Sequence, residues 1–215
     1  MTTRTKLHRY EGRGGIVTYD AKRCIHAAEC VHGLPAVFDP NAKPWINPDG
    51  ADAAALAAAV ARCPSGALTI ERPAGHIGST PANNTATPTA NGPMYLHGDI
   101  AVVSADGVLQ TETRMALCRC GASGNKPYCD GSHTAAAFRD SGRLPADSIQ
   151  GSTPARGRLT VTPLPNGPVK CEGPLTVMDS DGRATTTDKA FLCRCGASGN
   201  KPFCDGTHKQ IGFAA

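Results

Sequence analysis

The sequence predicts an α+β protein in two parts, an N-terminal α+β domain followed by two small strand-rich units. An order of strand, helix, helix and strand indicates the N-terminal domain, and a repeated segment indicates the two units. Aromatic residues make up only 5% of the 215 residues, and ten residues are cysteines. Because small domains with little apolar burial usually depend on metals or disulfides, we expect the cysteines to help hold the fold.

The N-terminal domain is predicted over residues 8–72. Its apolar pattern indicates a strand at 16–19, a loop and helix, a second helix at 52–62 and a strand at 67–71. A segment of small polar residues and prolines at 73–91 predicts a flexible linker. The domain contains three cysteines: Cys24, Cys30 and Cys63.

An internal repeat organises the second part of the chain. The segment LCRCGASGNKPYCDGSH at 117–133 aligns with LCRCGASGNKPFCDGTH at 192–208, and only two positions differ. The alignment extends upstream through two Gly-Pro pairs. We therefore predict units at 92–140 and 167–215, joined by a connecting segment at 141–166.

Each unit is predicted to be rich in strands. Short strand-like segments are interrupted by a Gly and an Asp-Gly turn, and a Gly-rich loop with cysteines follows. We expect a short helix after the third cysteine, where Asp130 or Asp205 would cap free N–H groups. Cys171 aligns with Leu96 and is expected to be a small hydrophobic core residue.

Four potential metal ligands recur in each repeat, in the order Cys-x-Cys, eight residues, Cys-x3-His. Cysteines one residue apart in a tight loop can face one metal, and a Cys and a His four apart share one side of a helical turn. The four ligands also suit a structural zinc ion, whereas a disulfide gives the histidine no role. The candidate ligands are Cys118, Cys120, Cys129 and His133, then Cys193, Cys195, Cys204 and His208.

The repeated segment resembles the CDGSH iron-sulfur domain family. The family motif, Cys-x-Cys-x2-Ser/Thr-x3-Pro-x-Cys-Asp-Gly-Ser/Ala/Thr-His, is met at every fixed position in both copies, and the resemblance covers residues 92–213. It implies a 2Fe-2S cluster at each site, with two cysteines on one iron and a cysteine and the histidine on the other. Two motifs in one chain are similar to the tandem NEET type, which implies a monomer with internal pseudo-twofold symmetry.

Other motif residues are candidates for tuning a cluster. Positive charge beside the ligands would raise the reduction potential, and the alternative for these side chains is a solvated loop surface. These residues are Arg119, Lys126, Arg194 and Lys201. Ser123 and Ser198 would donate a hydrogen bond to cluster sulfur or, alternatively, cap the loop backbone.

The Cys-Pro pair that begins at Cys63 resembles ferredoxins, whose bacterial type carries Cys-x2-Cys-x2-Cys before a distant Cys-Pro. The middle ligand position is here Ala27, so the pattern is one cysteine short. The domain is similar to divergent single-cluster ferredoxin-like domains, which implies a 3Fe-4S cluster or a 4Fe-4S cluster with one non-cysteine ligand. His26 is the candidate for that ligand, and an exposed loop histidine is its alternative. A purely structural role is the alternative for the three cysteines.

Composition and charge exclude several classes of function. The net charge of +4 is not gathered into a basic stripe with aromatic residues, so nucleic-acid binding is not expected. No apolar run reaches the roughly 20 residues that span a bilayer, and the first residues lack a secretion pattern. We therefore expect no membrane association and a cytoplasmic, reducing location, where thiols stay available for metal.

The predicted function is electron transfer with redox partner proteins. The alternative is a pH- or redox-sensitive carrier or sensor that donates 2Fe-2S clusters to apo-iron-sulfur proteins. The sequence contains no recognisable nucleophile triad, phosphate-binding Gly loop or paired catalytic acids. We therefore expect the chain not to be an enzyme.

Overall fold

A computed structural model describes residues 7–71, 81–104, 106–145 and 156–215 of the chain. The chain divides into two compact units, residues 1–79 and 80–215. The first unit contains β1 (Leu7–Gly12), β2 (Gly15–Asp20), α1 (Glu29–Gly33), a 3-10 helix (Pro48–Gly50), α2 (Ala53–Ala61) and β3 (Leu68–Glu71). The second contains β4 (Thr85–Pro88), β5 (Met94–Val103), β6 (Leu109–Leu117), β7 (Leu159–Pro163), β8 (Val169–Met178), β9 (Ala184–Leu192) and α3 (Thr207–Gln210).

The first unit combines a three-stranded antiparallel sheet, in the order β1-β2-β3, with two short helices. Asp52 caps α2, because one of its carboxylate oxygens accepts hydrogen bonds from the N–H groups of Ala54 and Ala55 at 2.9 and 2.8 Å. Leu56 and Val60 of this helix pack into the core. The predicted second helix and last strand are confirmed. The apolar pattern does not predict β1, because none of its residues is fully buried.

The second unit is a six-stranded sheet in which the two repeats exchange strands. β5 and β6 form one hairpin, and β8 and β9 form its counterpart. β4 lies antiparallel to β5 of its own repeat and parallel to β8 of the other. In the same way, β7 lies antiparallel to β8 and parallel to β5. The first strand of each repeat therefore joins the two hairpins.

These strands correct two predicted boundaries. The linker predicted at 73–91 is wrong at its end, because residues 85–88 form β4. The connecting segment predicted at 141–166 is also wrong in part, because Leu144 is buried in the core and β7 covers 159–163. Residues 72–80 and 146–155, which belong to these two segments, lie outside the described residues. The repeat could have predicted both strands, because Thr-Ala-Thr-Pro in β4 aligns with Thr-Val-Thr-Pro in β7.

The core of the second unit is formed by residues from all six strands together with Leu144. Cys171 is completely buried there, and burial raises the pKa of its thiol to about 12. It is therefore a small hydrophobic core residue, as predicted. β6 ends at Leu117 and β9 ends at Leu192, so the second strand of each hairpin leads directly into a ligand loop. None of the described helices is long and apolar enough to cross a membrane.

Candidate metal centres

Each CDGSH motif is a loop folded back onto the strand that precedes it. The N–H of Cys118 donates to the carbonyl of Pro127 at 2.9 Å, and the N–H of Cys129 donates to the carbonyl of Ala116 at 2.8 Å. The second motif repeats this ladder at 2.8 Å for both bonds, from Cys193 to Pro202 and from Cys204 to Phe191. The first and third cysteines of each motif are therefore fixed by backbone hydrogen bonds rather than by a flexible loop.

The candidate ligands stand in pairs. Cys118 Sγ lies 3.7 Å from Cys120 Sγ, and Cys129 Sγ lies 3.3 Å from His133 Nδ1. The equivalent distances in the second motif are 3.8 and 3.3 Å. Two sulfurs bound to one tetrahedral metal, with metal-sulfur bonds of about 2.3 Å, lie about 3.8 Å apart. The spacing of each pair therefore suits one tetrahedral metal atom.

The four candidate ligands of each motif stand as two pairs. Among the described residues, no three His, Cys, Asp or Glu side chains lie close enough together to hold one metal ion. A zinc ion would need all four ligands of a motif around one point. A 2Fe-2S cluster would need one pair of ligands at each iron.

The ligand sulfurs also receive backbone hydrogen bonds. N–H groups of Ala122 and Gly131 point at Cys120 Sγ and Cys129 Sγ, each at 3.4 Å, and Gly206 does the same for Cys204. Such donors stabilise negative charge on sulfur and tune the potential of a cluster bound there.

Electrostatics distinguish the thiols within a motif. The hydrogen bond between the two sulfurs lowers the pKa of Cys118 to about 6 and raises the pKa of Cys120. Burial raises the pKa of Cys129 to about 11, and burial also raises the pKa of Cys193. Because one proton can be shared between its two sulfurs, the Cys118–Cys120 pair loses its first proton more readily than the buried Cys129 does.

The motif serines brace the loops. Ser123 Oγ donates to the carbonyl of Tyr128 at 2.7 Å and accepts from the N–H of Asn125 at 3.0 Å. Ser198 makes the equivalent bonds to Phe203 and Asn200 at 2.6 and 3.1 Å. Each hydroxyl has a single proton, which it donates in a hydrogen bond to a backbone carbonyl. The expectation that these serines donate to cluster sulfur is therefore wrong.

The motif aspartates tie the two ends of each loop together. Asp130 accepts from the N–H groups of Gly124 and Ser132 at 2.8 and 3.0 Å. Asp205 accepts from Gly199 and Thr207 at the same distances, and the hydrogen bonds from Thr207 and Gly199 hold its pKa well below the usual range. The predicted helix after the third cysteine is confirmed only in the second motif, as α3; residues 134–137 of the first form turns.

The arginines between the paired cysteines are buried, so their interpretation as solvated loop charges is wrong. Arg119 and Arg194 are 2% and 3% exposed. Arg119 donates to the carbonyls of Gly92 and Thr89 and forms an ion pair with Asp140 at 2.7 Å. Arg194 donates to the carbonyls of Gly167 and Leu164 at 2.9 and 2.6 Å. Burial lowers the pKa of Arg194, and the nearby Cys118 thiolate opposes this shift.

The motif lysines link the two repeats. Lys126 Nζ donates to the carbonyl of Ser123 at 2.6 Å and lies 5.9 Å from the ring centre of Phe213 in the other repeat. Lys201 Nζ donates to the carbonyl of Ser198 at 2.5 Å and lies 4.0 Å from Asp140 of the other repeat. Both cations are therefore partly buried between the ligand loops.

The two Cys-x-Cys loops pack against each other through glycines. A Cβ on Gly121 would lie 2.6 Å from the carbonyl oxygen of Cys195, and a Cβ on Gly196 would lie 2.8 Å from that of Cys120. Both glycines also have positive φ, 80° and 84°, which other residues rarely adopt. Reciprocal contact therefore requires glycine at both positions.

The N-terminal cysteines share one pocket. Cys24, Cys30 and Cys63 line it together with His26 and Ala27. Burial raises the pKa of Cys30, and Cys63 Sγ lies 3.6 Å from the hydroxyl of Ser65. The loop between the first two cysteines is tightly curved, since His26 and Ala28 have φ of 56° and 60°. The three predicted ligands therefore line one pocket, and the exposed His26 lines it as well.

The sequence interpretation missed the residues around the arginines. Phe138 and Phe213 lie 5.5 Å from the guanidinium carbons of Arg119 and Arg194, respectively. These two phenylalanines align in the repeat, and this alignment could have identified them from the sequence. Nothing in the sequence pattern distinguished Asp140, since the aligned position is Ala215.

Comparison with known families agrees with both kinds of site. The family described as "Iron-binding zinc finger CDGSH type" matches residues 91–134 and 166–209. Two segments of the chain therefore match this CDGSH family. The N-terminal domain matches the family described as "Divergent 4Fe-4S mono-cluster" over residues 10–73. Together these matches identify an iron-sulfur protein.

Two curated relatives share one region of the chain. The protein YjdI of Escherichia coli, from strain K12 and from strain O157:H7, is 39% identical to the chain over 59 residues in each case. The match covers 27% of this chain and 78% of the relative.

Proposed function

We propose that the chain transfers electrons through two 2Fe-2S clusters, each held by three cysteines and one histidine. The observation that carries the proposal is the pairing of ligands in both motifs at distances that suit one tetrahedral iron per pair. Cys118 and Cys120 would hold one iron and Cys129 and His133 the other. Cys193, Cys195, Cys204 and His208 are the corresponding residues of the second centre.

The histidine sets the chemistry of each proposed centre. A bound cluster would accept and release one electron, and replacing a thiolate with a neutral imidazole raises its potential above that of an all-cysteine cluster. The nitrogen that faces the cysteine sulfur is Nδ1 in both motifs. Because only an unprotonated nitrogen binds iron, acid should compete with the cluster for His133 and His208.

We infer that the two repeats form a monomer with a pseudo-twofold axis between the ligand loops. The exchanged strands β4 and β7 support this arrangement, because their pairings are equivalent. The contacts of Gly121 with Cys195 and of Gly196 with Cys120 are also reciprocal. One chain would thus supply both halves of the cluster-binding domain.

The N-terminal domain is proposed to hold a third cluster, either 3Fe-4S or 4Fe-4S. Cys24, Cys30 and Cys63 are the proposed ligands, and the 4Fe-4S description of the matching family supports the larger cluster. A 4Fe-4S cluster would need one further ligand, for which His26 is the candidate in the same pocket. The fold proposed for this domain is ferredoxin-like.

Electron transfer is tested by reduction of the anaerobically reconstituted chain followed by reoxidation, monitored by absorbance and EPR. We expect rapid, fully reversible reduction with no loss of iron over repeated cycles. Loss of the clusters on the first reduction would contradict the proposal. In Cys24→Ser, only the signal of the N-terminal cluster should disappear.

A second candidate function, donation of 2Fe-2S clusters to apo-iron-sulfur proteins, is favoured by one observation. His133 and His208 are both half-exposed, so protons from solvent can reach the imidazole of each site. Transfer of the cluster absorbance to an apo-ferredoxin within minutes at mildly acidic pH would support donation. We propose redox proteins as partners, a cytoplasmic location and no catalytic activity of the chain's own.

A further inference from the structure

Ser65 brings a buried hydroxyl group to one of the proposed ligands of the N-terminal cluster. It is 2% exposed, and its Oγ lies 3.6 Å from the sulfur of Cys63, which is 9% exposed. The N–H of Ala67 donates to the same Oγ at 3.3 Å, and Arg23 donates to the Ser65 carbonyl at 3.0 Å. These bonds hold the hydroxyl in place beside the cysteine.

The proton of this hydroxyl has a different acceptor from the protons of the CDGSH serines. Ser198 also accepts a backbone N–H from the residue two positions later, but it donates its proton to the carbonyl of Phe203. The acceptor beside the Ser65 hydroxyl is the sulfur of Cys63. A cysteine that binds iron carries no proton on its sulfur, so the hydrogen bond can then run only from Ser65 to Cys63.

Tyr19 gives a second proposed ligand the same kind of partner. It lines the pocket of the three N-terminal cysteines, and its ring packs edge-on against Trp45 at a centroid distance of 4.9 Å. Burial raises the pKa of Tyr19, and a hydrogen bond with Cys24 raises it further, so the phenol keeps its proton and donates it. Two of the three proposed ligands therefore each have a hydroxyl neighbour.

We propose that Ser65 and Tyr19 donate hydrogen bonds to the sulfurs of Cys63 and Cys24 and so raise the reduction potential of the cluster bound there. This inference rests on the proposed third cluster. An electron added to an iron-sulfur cluster increases the negative charge on its sulfur atoms, including the thiolates that bind it. Donors fixed at those thiolates stabilise this charge, and burial strengthens the effect because water screens it less. Both residues act through a ligand, so they are positioning residues.

The expected effect of losing either donor is a lower potential of the N-terminal cluster. We expect the ratio of reduced to oxidised cluster at a fixed potential to fall about tenfold, which for a one-electron couple corresponds to about 59 mV. The potentials of the two CDGSH centres should stay unchanged, because their ligands belong to the other compact unit.

The test is an EPR-monitored redox titration of the full chain, reconstituted anaerobically and first assayed for iron and sulfide. Ser65→Ala removes one hydroxyl, and Ser65→Thr keeps a hydroxyl at the same place. We expect Ser65→Ala to lower the potential of the N-terminal cluster and Ser65→Thr to restore most of the wild-type value. Thr69→Ala, which removes an exposed hydroxyl on β3, is the matched control and should leave this potential unchanged.

Tyr19→Phe is the independent variant, since it keeps the ring that packs against Trp45 and removes only the oxygen. It does not depend on the folding of the Ser65 variants and should also lower the potential. Electron-nuclear double resonance of the N-terminal EPR signal in H2O and D2O detects exchangeable protons close to the cluster. Ser65→Ala and Tyr19→Phe should each lose one such coupling, a change that a purely structural role of the side chain would not produce.

An unchanged potential in both Ser65→Ala and Tyr19→Phe, with the N-terminal cluster retained, would overturn the inference while the proposed function stands. Exchangeable couplings that persist in both variants would do the same. Wild-type protein whose iron and sulfide account for no cluster beyond the two 2Fe-2S centres would instead overturn the proposed third cluster, and this inference with it.

Discussion

Single residues determine the chemistry of each centre. In the proposed centres, a cysteine and a histidine whose reactive atoms lie 3.3 Å apart would define one metal position in each motif, and the neutral imidazole would distinguish it from the all-cysteine position beside it. Replacing the imidazole with a thiolate would add one negative charge to the cluster and remove the nitrogen for which protons compete.

His133→Cys should therefore lower the potential of one 2Fe-2S centre and make its cluster less sensitive to mild acid. Redox titration and the rate of absorbance loss at mildly acidic pH measure the two effects. His97→Cys adds a thiol at an exposed position on β5 and serves as the control. An unchanged potential and an unchanged acid sensitivity in His133→Cys would contradict imidazole ligation.

The buried motif serines are expected to stabilise the fold. Ser198→Ala would leave the carbonyl of Phe203 and the N–H of Asn200 without their shared partner. We expect a loss of about 1–3 kcal/mol in the free energy of unfolding, because both groups lie in a partly buried loop. Ser141→Ala, at an exposed serine, should change it by less than about 0.5 kcal/mol. Equal effects of the two substitutions in denaturant unfolding would count against this role for Ser198.

Among the loops and strands, the most constrained feature is the contact between the two Cys-x-Cys loops. Gly121→Ala should destabilise both centres, because the new Cβ would meet the carbonyl oxygen of Cys195 at 2.6 Å and the positive φ alone costs about 1–2 kcal/mol. Gly124→Ala in the same loop is the control, since its Cβ would meet nothing closer than 3.6 Å. In the presence of a chelator, Gly121→Ala should lose the clusters of both sites faster than the wild type does. Faster loss at the first site alone would contradict the reciprocal packing.

The elements also show which features the sequence reveals. The ligands follow from the sequence because all four lie within one short loop, and local spacing largely determines their geometry. β4 does not follow, because its small polar residues become a strand only by pairing with β5 and with β8 of the other repeat. The burial of Arg119 depends in the same way on tertiary contacts with Phe138 and Asp140.

At the scale of the whole molecule, the chain joins an N-terminal iron-sulfur domain to a CDGSH pair. The two compact units, residues 1–79 and 80–215, each contain their own core, and the first has one cysteine site and the second has two. Cys63→Ser should therefore remove the N-terminal cluster and leave both CDGSH centres and their potentials unchanged. EPR of the reduced variant measures this, and loss of the 2Fe-2S signals along with the N-terminal one would contradict independent sites.

The measurement that tests the central claim most directly is acid-labile sulfide together with iron and zinc in anaerobically purified and reconstituted Cys63→Ser protein. The account predicts iron and sulfide in equal amounts, in the 2Fe-2S ratio at each CDGSH motif, with zinc absent. Zinc at one ion per motif without sulfide would contradict it.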